Sequence, residues 1–201
     1  MRALVHGQVR ASAGAVPDPF ATLGLSPSFD LDLGEAERRH RDLSKTLHPD
    51  RYAGRPAAER RQALGKAIEV NEAWRTLRDP IRRSEALLDH LGIHVEEGEE
   101  PKPDAELLME MMELREELAE AAHGKNVKRL AELIKKVKTR EVTVLSSLSA
   151  EFSRASQAKN GDAAESPTGG FDPNALMRTL GELRYYRRFL DEAAAYEDEL
   201  L

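Results

Sequence analysis

Residues 32–52 read DLGEAERRHRDLSKTLHPDRY, and residues 57–77 read AAERRQALGKAIEVNEAWRTL. In the first stretch Leu33, Ala36, His40, Leu43 and Leu47 recur at alternating spacings of three and four, the signature of a helix with one buried face. At roughly 100° per residue, Arg38, Arg41 and Lys45 fall together on the opposite side and form a basic stripe. His48-Pro49-Asp50 ends this helix. Proline lacks the amide proton that would continue the ladder, and it disfavours helical geometry in the residue before it. After a loop of turn formers from Arg51 to Pro56, the second stretch predicts a helix over 57–77 with Ala63, Ala67, Val70, Trp74 and Leu77 on one face. Two long helices joined by a short loop pack as an antiparallel hairpin.

Outward from this hairpin the pattern stays helical. Phe20 to Leu25 reads as one short turn stopped by Gly24, with Pro27 and Asp30 marking a bend. Asp79-Pro80 opens a shorter helix that Gly92 closes near Leu91. Residues 1–17 hold no sustained apolar period and read as a disordered leader. The Glu/Gly/Pro-rich segment 92–103 reads as a linker between domains spanning 18–91 and 104–201. Three further helices are expected, at about 104–122, 126–154 and 173–200, with a flexible loop over 156–170. In the middle one Val127, Leu130, Ile134, Val137, Val144, Leu148 and Phe152 make the stripe, and in the last Leu176, Leu180, Leu183 and Leu190 do. No strand pairs are visible. The expected fold is all-α: an N-terminal helical hairpin unit followed by a C-terminal three-helix bundle.

Composition narrows the function. The chain has 201 residues and no cysteine, so disulfides, thiolate nucleophiles and Cys-ligated metals are excluded as its own chemistry. A net charge of −6 gives no support to nucleic-acid binding. No stretch reaches the roughly 20 apolar residues of a membrane span, and no secretory signal is evident. The expectation is a soluble protein with no nucleic-acid or membrane partner.

His48-Pro49-Asp50 sits at the hairpin tip. Around it stand Phe20-x-x-Leu23-Gly24-Leu25, the basic helix, Asn71-Glu72-Ala73-Trp74 with Leu77, and Asp79-Pro80-x-Arg82-Arg83. Together they resemble the J-domain of DnaJ-type co-chaperones over about residues 18–91. The resemblance implies docking on a DnaK-class chaperone and acceleration of its ATP hydrolysis, with His48, Pro49 and Asp50 indispensable. The residue chemistry agrees with that role. A proline-fixed tip lowers the ordering cost of docking, and Arg38, Arg41, Lys45 and Arg51 suit an acidic partner surface. The Asp50 carboxylate suits a charge-assisted bond to a partner arginine.

The second half narrows the resemblance further. Leu108-Met109-Glu110-Met111-Met112-Glu113-Leu114-Arg115-Glu116-Glu117-Leu118 resembles the corresponding helix of the HscB family, the J-type co-chaperones of iron-sulfur cluster assembly. Leu183-Arg184-Tyr185 and Phe189-Leu190-Asp191 support the same likeness. By periodicity Leu107, Met111, Leu114 and Leu118 share a core face, while Met109, Met112, Glu113 and Glu116 fall roughly opposite with Leu108 on the flank. A Met/Leu patch beside carboxylates suits an adaptable partner surface. Resemblance to HscB implies that Leu108, Met109, Met112, Glu113, Glu116 and Tyr185 bind an IscU-type cluster scaffold. It also implies an L-shaped arrangement of the domains and an HscA-type chaperone partner. Leu108 and Met112 have an alternative place, as core residues of a helix packed on two sides.

Other constellations are weaker. His90 and His94 are four apart, but Gly92 interrupts them and no third ligand is evident, so no metal site is expected. His40 lies on an apolar face as a core-edge histidine. No phosphate-binding glycine loop or nucleophile elbow is present, and the expectation is a co-chaperone with neither cofactor nor catalytic site of its own. The alternatives are a J-protein that brings another client to a general DnaK and a purely structural helical adaptor. A cysteine-free leader cannot build the N-terminal metal site of some eukaryotic HscB relatives. That favours a bacterial cytoplasmic location, with the mitochondrial matrix as the alternative.

Overall fold

In the computed structural model, residues 17–93, 103–159 and 172–200 are described. Among these residues seven helices follow in chain order: α1 (Pro19–Leu23), α2 (Leu33–Thr46), α3 (Ala57–Arg78), α4 (Pro80–Leu91), α5 (Ala105–His123), α6 (Val127–Lys159) and α7 (Pro173–Leu200), with one 3-10 turn at Pro49–Tyr52. Among the described residues there is no strand. Residues 1–16 of the leader, most of the linker and residues 160–170 of the expected loop lie outside the described residues.

The helix boundaries have local causes. Asp18, Asp32, Asp79, Asp104, Asn126 and Asp172 each precede a helix and accept a hydrogen bond from its first-turn amides, which satisfies donors that have no partner inside the helix. Pro19, Pro80 and Pro173 follow three of these caps, where a missing amide proton is harmless. Gly24 and Gly92 close α1 and α4 in the left-handed conformation, φ 66° and 76°. At the α5–α6 turn the left-handed residue is Lys125, φ 51°, one position after Gly124. Amides of Lys125 and Asn126 bond back to the carbonyls of Ala122 and Ala121 there, so the backbone ladder holds a lysine where glycine would be less strained.

The core runs through both halves of the chain. Phe20, Leu23, Val70, Ala73, Leu77 and Leu87 from the N-terminal helices join Met111, Leu114, Leu118, Leu148, Leu180 and Phe189 in one buried cluster. Burying each large side chain of this kind is worth about 1.5–3 kcal/mol. α2 packs on α3 as the expected hairpin, α5, α6 and α7 pack on one another, and α4 packs on α6 and α7. The junction between the halves is built from Phe29, whose ring stacks on Phe152 at 5.4 Å between centroids. The guanidinium of Arg83 stands 5.0 Å from the Phe29 centroid. Arg83 is buried and donates to the Leu77 carbonyl at 2.6 Å, and burial lowers its pKa against the opposing pull of Asp30 and Asp79. Ser149 to Asp30 (2.6 Å), Arg184 to Glu85 (2.8 Å) and Arg187 to Asp79 (3.4 Å) complete the junction.

Several expected faces differ in detail. Leu33 and Val127 are exposed rather than core. Each is the first residue of its helix, where the side chain leans back past the end of the packing partner. α6 continues to Lys159 rather than ending near 154, because Ala155 extends the buried row of Leu148 and Phe152. Leu133 on α6, and Met177, Tyr186, Phe189 and Ala193 on α7, are buried outside the expected stripes, since both helices touch several neighbours and need a wider apolar arc.

Candidate docking surfaces

The first surface is the tip of the α2–α3 hairpin. His48 has extended backbone, φ −59° and ψ 134°, as the following proline requires. Pro49 then starts the 3-10 turn that carries Asp50 and Arg51. The amide of Asp50 donates to His48 Nδ1 at 3.3 Å, and Asp50 Oδ2 lies 3.4 Å from the same nitrogen. The two contacts belong to different proton states: a bare Nδ1 accepts from the amide, and a protonated one donates to the carboxylate. In either state the ring orients the turn. The Asp50 side chain is 90% exposed, leaving its carboxylate open to an outside donor.

Arg38, Arg41, Lys45 and Arg51 are all exposed. Arg41 is tied to Glu37 at 2.8 Å, an exposed pair on neighbouring turns that holds the side chain loosely. Arg39 faces another way. It bonds Glu35 at 2.5 Å and donates to the carbonyl of Gly24, pinning the end of α1. His40 stacks on Trp74 at 5.6 Å, with Nε2 3.0 Å from Asn71 Oδ1, which places it at the core edge between α2 and α3. Beside the tip lies a cavity of about 450 Å³ lined by Leu47, Pro49, Tyr52, Arg60, Arg61 and Leu64 among others. Sequence reasoning passed over this cavity. Its signal was Leu64, an apolar residue off the buried stripe and 54% exposed.

The second surface lies on α5 and α7. Met111, Leu114 and Leu118 are buried, whereas Met109 and Met112 are 65% and 64% exposed. Glu113 and Glu116 are exposed, and Leu108 is also on the open side. Leu108 and Met112 are therefore not core between two packing partners. Arg115 pairs with Glu192 at 3.4 Å, and two antiparallel steps through α6 make α5 and α7 parallel. Tyr185 precedes Glu192 by seven residues, as Leu108 precedes Arg115, so this register sets Tyr185 level with Leu108. Tyr185 is half-buried against the core, with Arg188 5.9 Å from its ring centroid. Its neighbour Tyr186 is fully inside and donates to Glu182 at 2.7 Å. Burial and that carboxylate push its pKa up to about 12, so it stays a neutral donor.

Among the described residues no group of three or more His, Asp or Glu could hold a metal ion. His90 is described and His94 lies outside the described residues. No described helix is long and apolar enough to cross a membrane.

Comparison with known proteins places the chain in a family. The family model described as the HSCB C-terminal oligomerisation domain matches residues 103–194. The co-chaperone HscB homolog of Colwellia psychrerythraea (strain 34H) is 30% identical over 181 residues, 90% of this chain and 97% of that protein. The co-chaperone HscB of Proteus mirabilis (strain HI4320) is 37% identical over 101 residues, a stretch spanning 50% of this chain and only 58% of that relative. The solved structure of chaperone HscB from Vibrio cholerae superimposes with a TM-score of 0.74 at 29% identity, covering 91% of this chain and 99% of that one. An all-α fold carrying an exposed His-Pro-Asp tip, together with end-to-end similarity to a named co-chaperone, identifies this chain as a member of the HscB co-chaperone family.

Proposed function

We propose that the chain is a two-surface adaptor in iron-sulfur cluster biogenesis. The α2–α3 tip docks on a DnaK-class chaperone of HscA type and stimulates its ATPase, while the α5–α7 face carries an IscU-type scaffold to that chaperone. The observation that carries this reading is the simultaneous exposure of two chemically distinct surfaces on separate helices. One is a basic helix ending in a rigid tip with an open carboxylate, and the other is a methionine patch edged by glutamates.

In this mechanism Arg38, Arg41, Lys45 and Arg51 speed encounter with an acidic partner. The tip docks with little loss of freedom because Pro49 and the His48–Asp50 contacts already fix it. Asp50 then takes a partner arginine, while the cavity beside Pro49 offers Leu64 to an apolar side chain and Arg60 and Arg61 to acidic ones. Met109 and Met112 are flexible, polarizable side chains that fit an uneven partner surface. Residues 18–91 and 104–201 act as the two functional units, and holding both partners on one chain raises their effective concentration for each other. The chain adds no catalytic group or cofactor; the ATPase belongs to the chaperone and the cluster ligands to the scaffold. Its place of action is the bacterial cytoplasm.

The test separates the surfaces. Both methionines are largely exposed, so replacing them changes folding stability by under about 0.5 kcal/mol. Met109→Ala with Met112→Ala should weaken scaffold binding by about 5- to 30-fold and leave chaperone stimulation intact. Unchanged scaffold affinity would remove the α5–α7 face from the account and favour a J-protein serving another client.

A further inference from the structure

Of the four arginines on α7, three end on carboxylates of the fold. Arg178 reaches Asp172 at 3.5 Å, Arg184 reaches Glu85 at 2.8 Å, and Arg187 reaches Asp79 at 3.4 Å and Glu141 at 3.3 Å. Arg188 is exposed and makes no ion pair among the described residues. Its guanidinium stands 5.9 Å from the Tyr185 ring centroid instead, a contact that restrains a long side chain without neutralising its charge. One turn before Tyr185 lies Gly181, in the interior of α7. A glycine there weakens a helix relative to alanine through backbone entropy. Among the described residues nothing demands it: the backbone is not left-handed, and a Cβ placed on Gly181 meets nothing within 4 Å.

Both residues border the α5–α7 face. The register that sets Tyr185 level with Leu108 also sets Arg188 level with Met111. At roughly 100° per residue, Leu108 and Met112 lie on the side of α5 nearest Arg115, and so nearest α7, whereas Glu113 lies on the far side. On α7, Gly181, Tyr185 and Arg188 all fall within about 40° of Glu192, the residue that Arg115 reaches. Glu113 and Glu116 make no ion pair among the described residues. Across the face the order is a carboxylate edge on α5, an apolar middle of Met112, Leu108 and the Tyr185 ring, and a cationic edge on α7.

We propose, on the scaffold reading of this face, that Arg188 and Gly181 select the partner on the α7 side. Arg188, held against Tyr185, takes a partner carboxylate in a charge-assisted bond, with part of its ordering already met before docking. Gly181 lets the partner backbone approach α7 where a side chain would hold it away. The segment that fits is polarised, with a basic group toward α5, an apolar middle, and an acidic group toward α7. A segment laid the other way meets like charge at both edges.

The test is calorimetric titration of the full chain with an IscU-type scaffold, with urea unfolding run on each variant. Gly181→Ala should raise the urea midpoint and yet weaken scaffold binding by at least about fivefold, two effects of opposite sign that a merely structural glycine would not give. Arg188→Gln should weaken binding by at least about threefold at low salt, with a smaller loss at high salt. Arg188→Lys should recover most of that loss, and Tyr185→Phe, which keeps the ring, should bind as the parent does. Met109→Ala with Met112→Ala is the reference for the scaffold reading itself. Parent-like affinity of Gly181→Ala or of Arg188→Gln beside a weakened methionine variant overturns this proposal and leaves that reading in place. Parent-like affinity in all three, or no scaffold binding by the parent chain, overturns both. A lowered urea midpoint in Gly181→Ala shows that the fold itself fills the space, and also overturns the proposal.

Discussion

Replacing Phe152 by alanine tests how the two halves are joined. Phe152 is 3% exposed and stacks on Phe29, with 13° between the ring planes. Truncating a buried phenylalanine removes about 3–5 kcal/mol, of which the aromatic pair itself accounts for about 0.5–1.5 kcal/mol. The site borders a shallow cavity of about 250 Å³ lined also by Ser149, Ser153 and Gln157. Water can therefore enter part of the vacated space, which argues for the lower end, about 3 kcal/mol. Against a total stability of about 5–15 kcal/mol this is a large loss. Urea unfolding followed by far-UV circular dichroism reads all helices, and fluorescence of Trp74, the sole tryptophan, reads the N-terminal half. The two transitions should coincide in the parent chain and separate in Phe152→Ala, because the junction couples α1–α4 to α5–α7. A double-mutant cycle with Phe29→Ala should give a coupling of about 1 kcal/mol. A loss below about 1 kcal/mol, with coincident transitions and additive single mutants, would show that the ring pair does not couple the halves.

Two further substitutions probe local strain and burial. Lys125→Gly should raise stability by about 0.5–1 kcal/mol, since it relieves a left-handed lysine; an unchanged urea midpoint would show that the turn is unstrained. Glu151 is held by Thr179 at 3.1 Å through one oxygen while the other has no partner. Burial raises its pKa above the usual carboxyl value. The folded chain thus holds this proton more tightly than the unfolded one, and ionisation takes away stability as pH rises from the ordinary carboxyl range through the raised value. Glu151→Gln keeps the Thr179 bond and should be neutral or more stable at pH 7, by under about 1 kcal/mol, with no gain at pH 4. A clear loss at neutral pH would mean that the carboxylate is stabilising there.

Much of this molecule is legible in its sequence because its helices are punctuated locally. Aspartates and prolines start helices, Gly24 and Gly92 end them, and spacings of three and four place Ala36, Val70, Leu77, Met111 and Leu114 inside. These signals act over a few residues. The junction does not: Phe29, Arg83 and Phe152 meet from distant parts of the chain, and no periodicity announces that a buried arginine will cover a phenylalanine. Tyr186 and Phe189 escaped for a related reason, since a single stripe cannot describe a helix packed on several neighbours. The exposed side chains at the tip and on α5 stand where spacing placed them. Leu64 and Ile68 read as ordinary helix residues until the structure set them beside cavities.

The proposed function rests on action of the α2–α3 tip on a DnaK-class chaperone. Its most direct test is steady-state ATP hydrolysis by an HscA-type chaperone, titrated with the full chain and with its Asp50→Ala variant. The Asp50 side chain is almost wholly exposed, and among the described residues its carboxylate contacts His48 alone, so the variant should fold normally. Losing one member of a charge pair buried on docking costs about 2–5 kcal/mol. Stimulation by Asp50→Ala should therefore fall by at least about tenfold at concentrations where the parent chain saturates. Equal stimulation by the two proteins would contradict it.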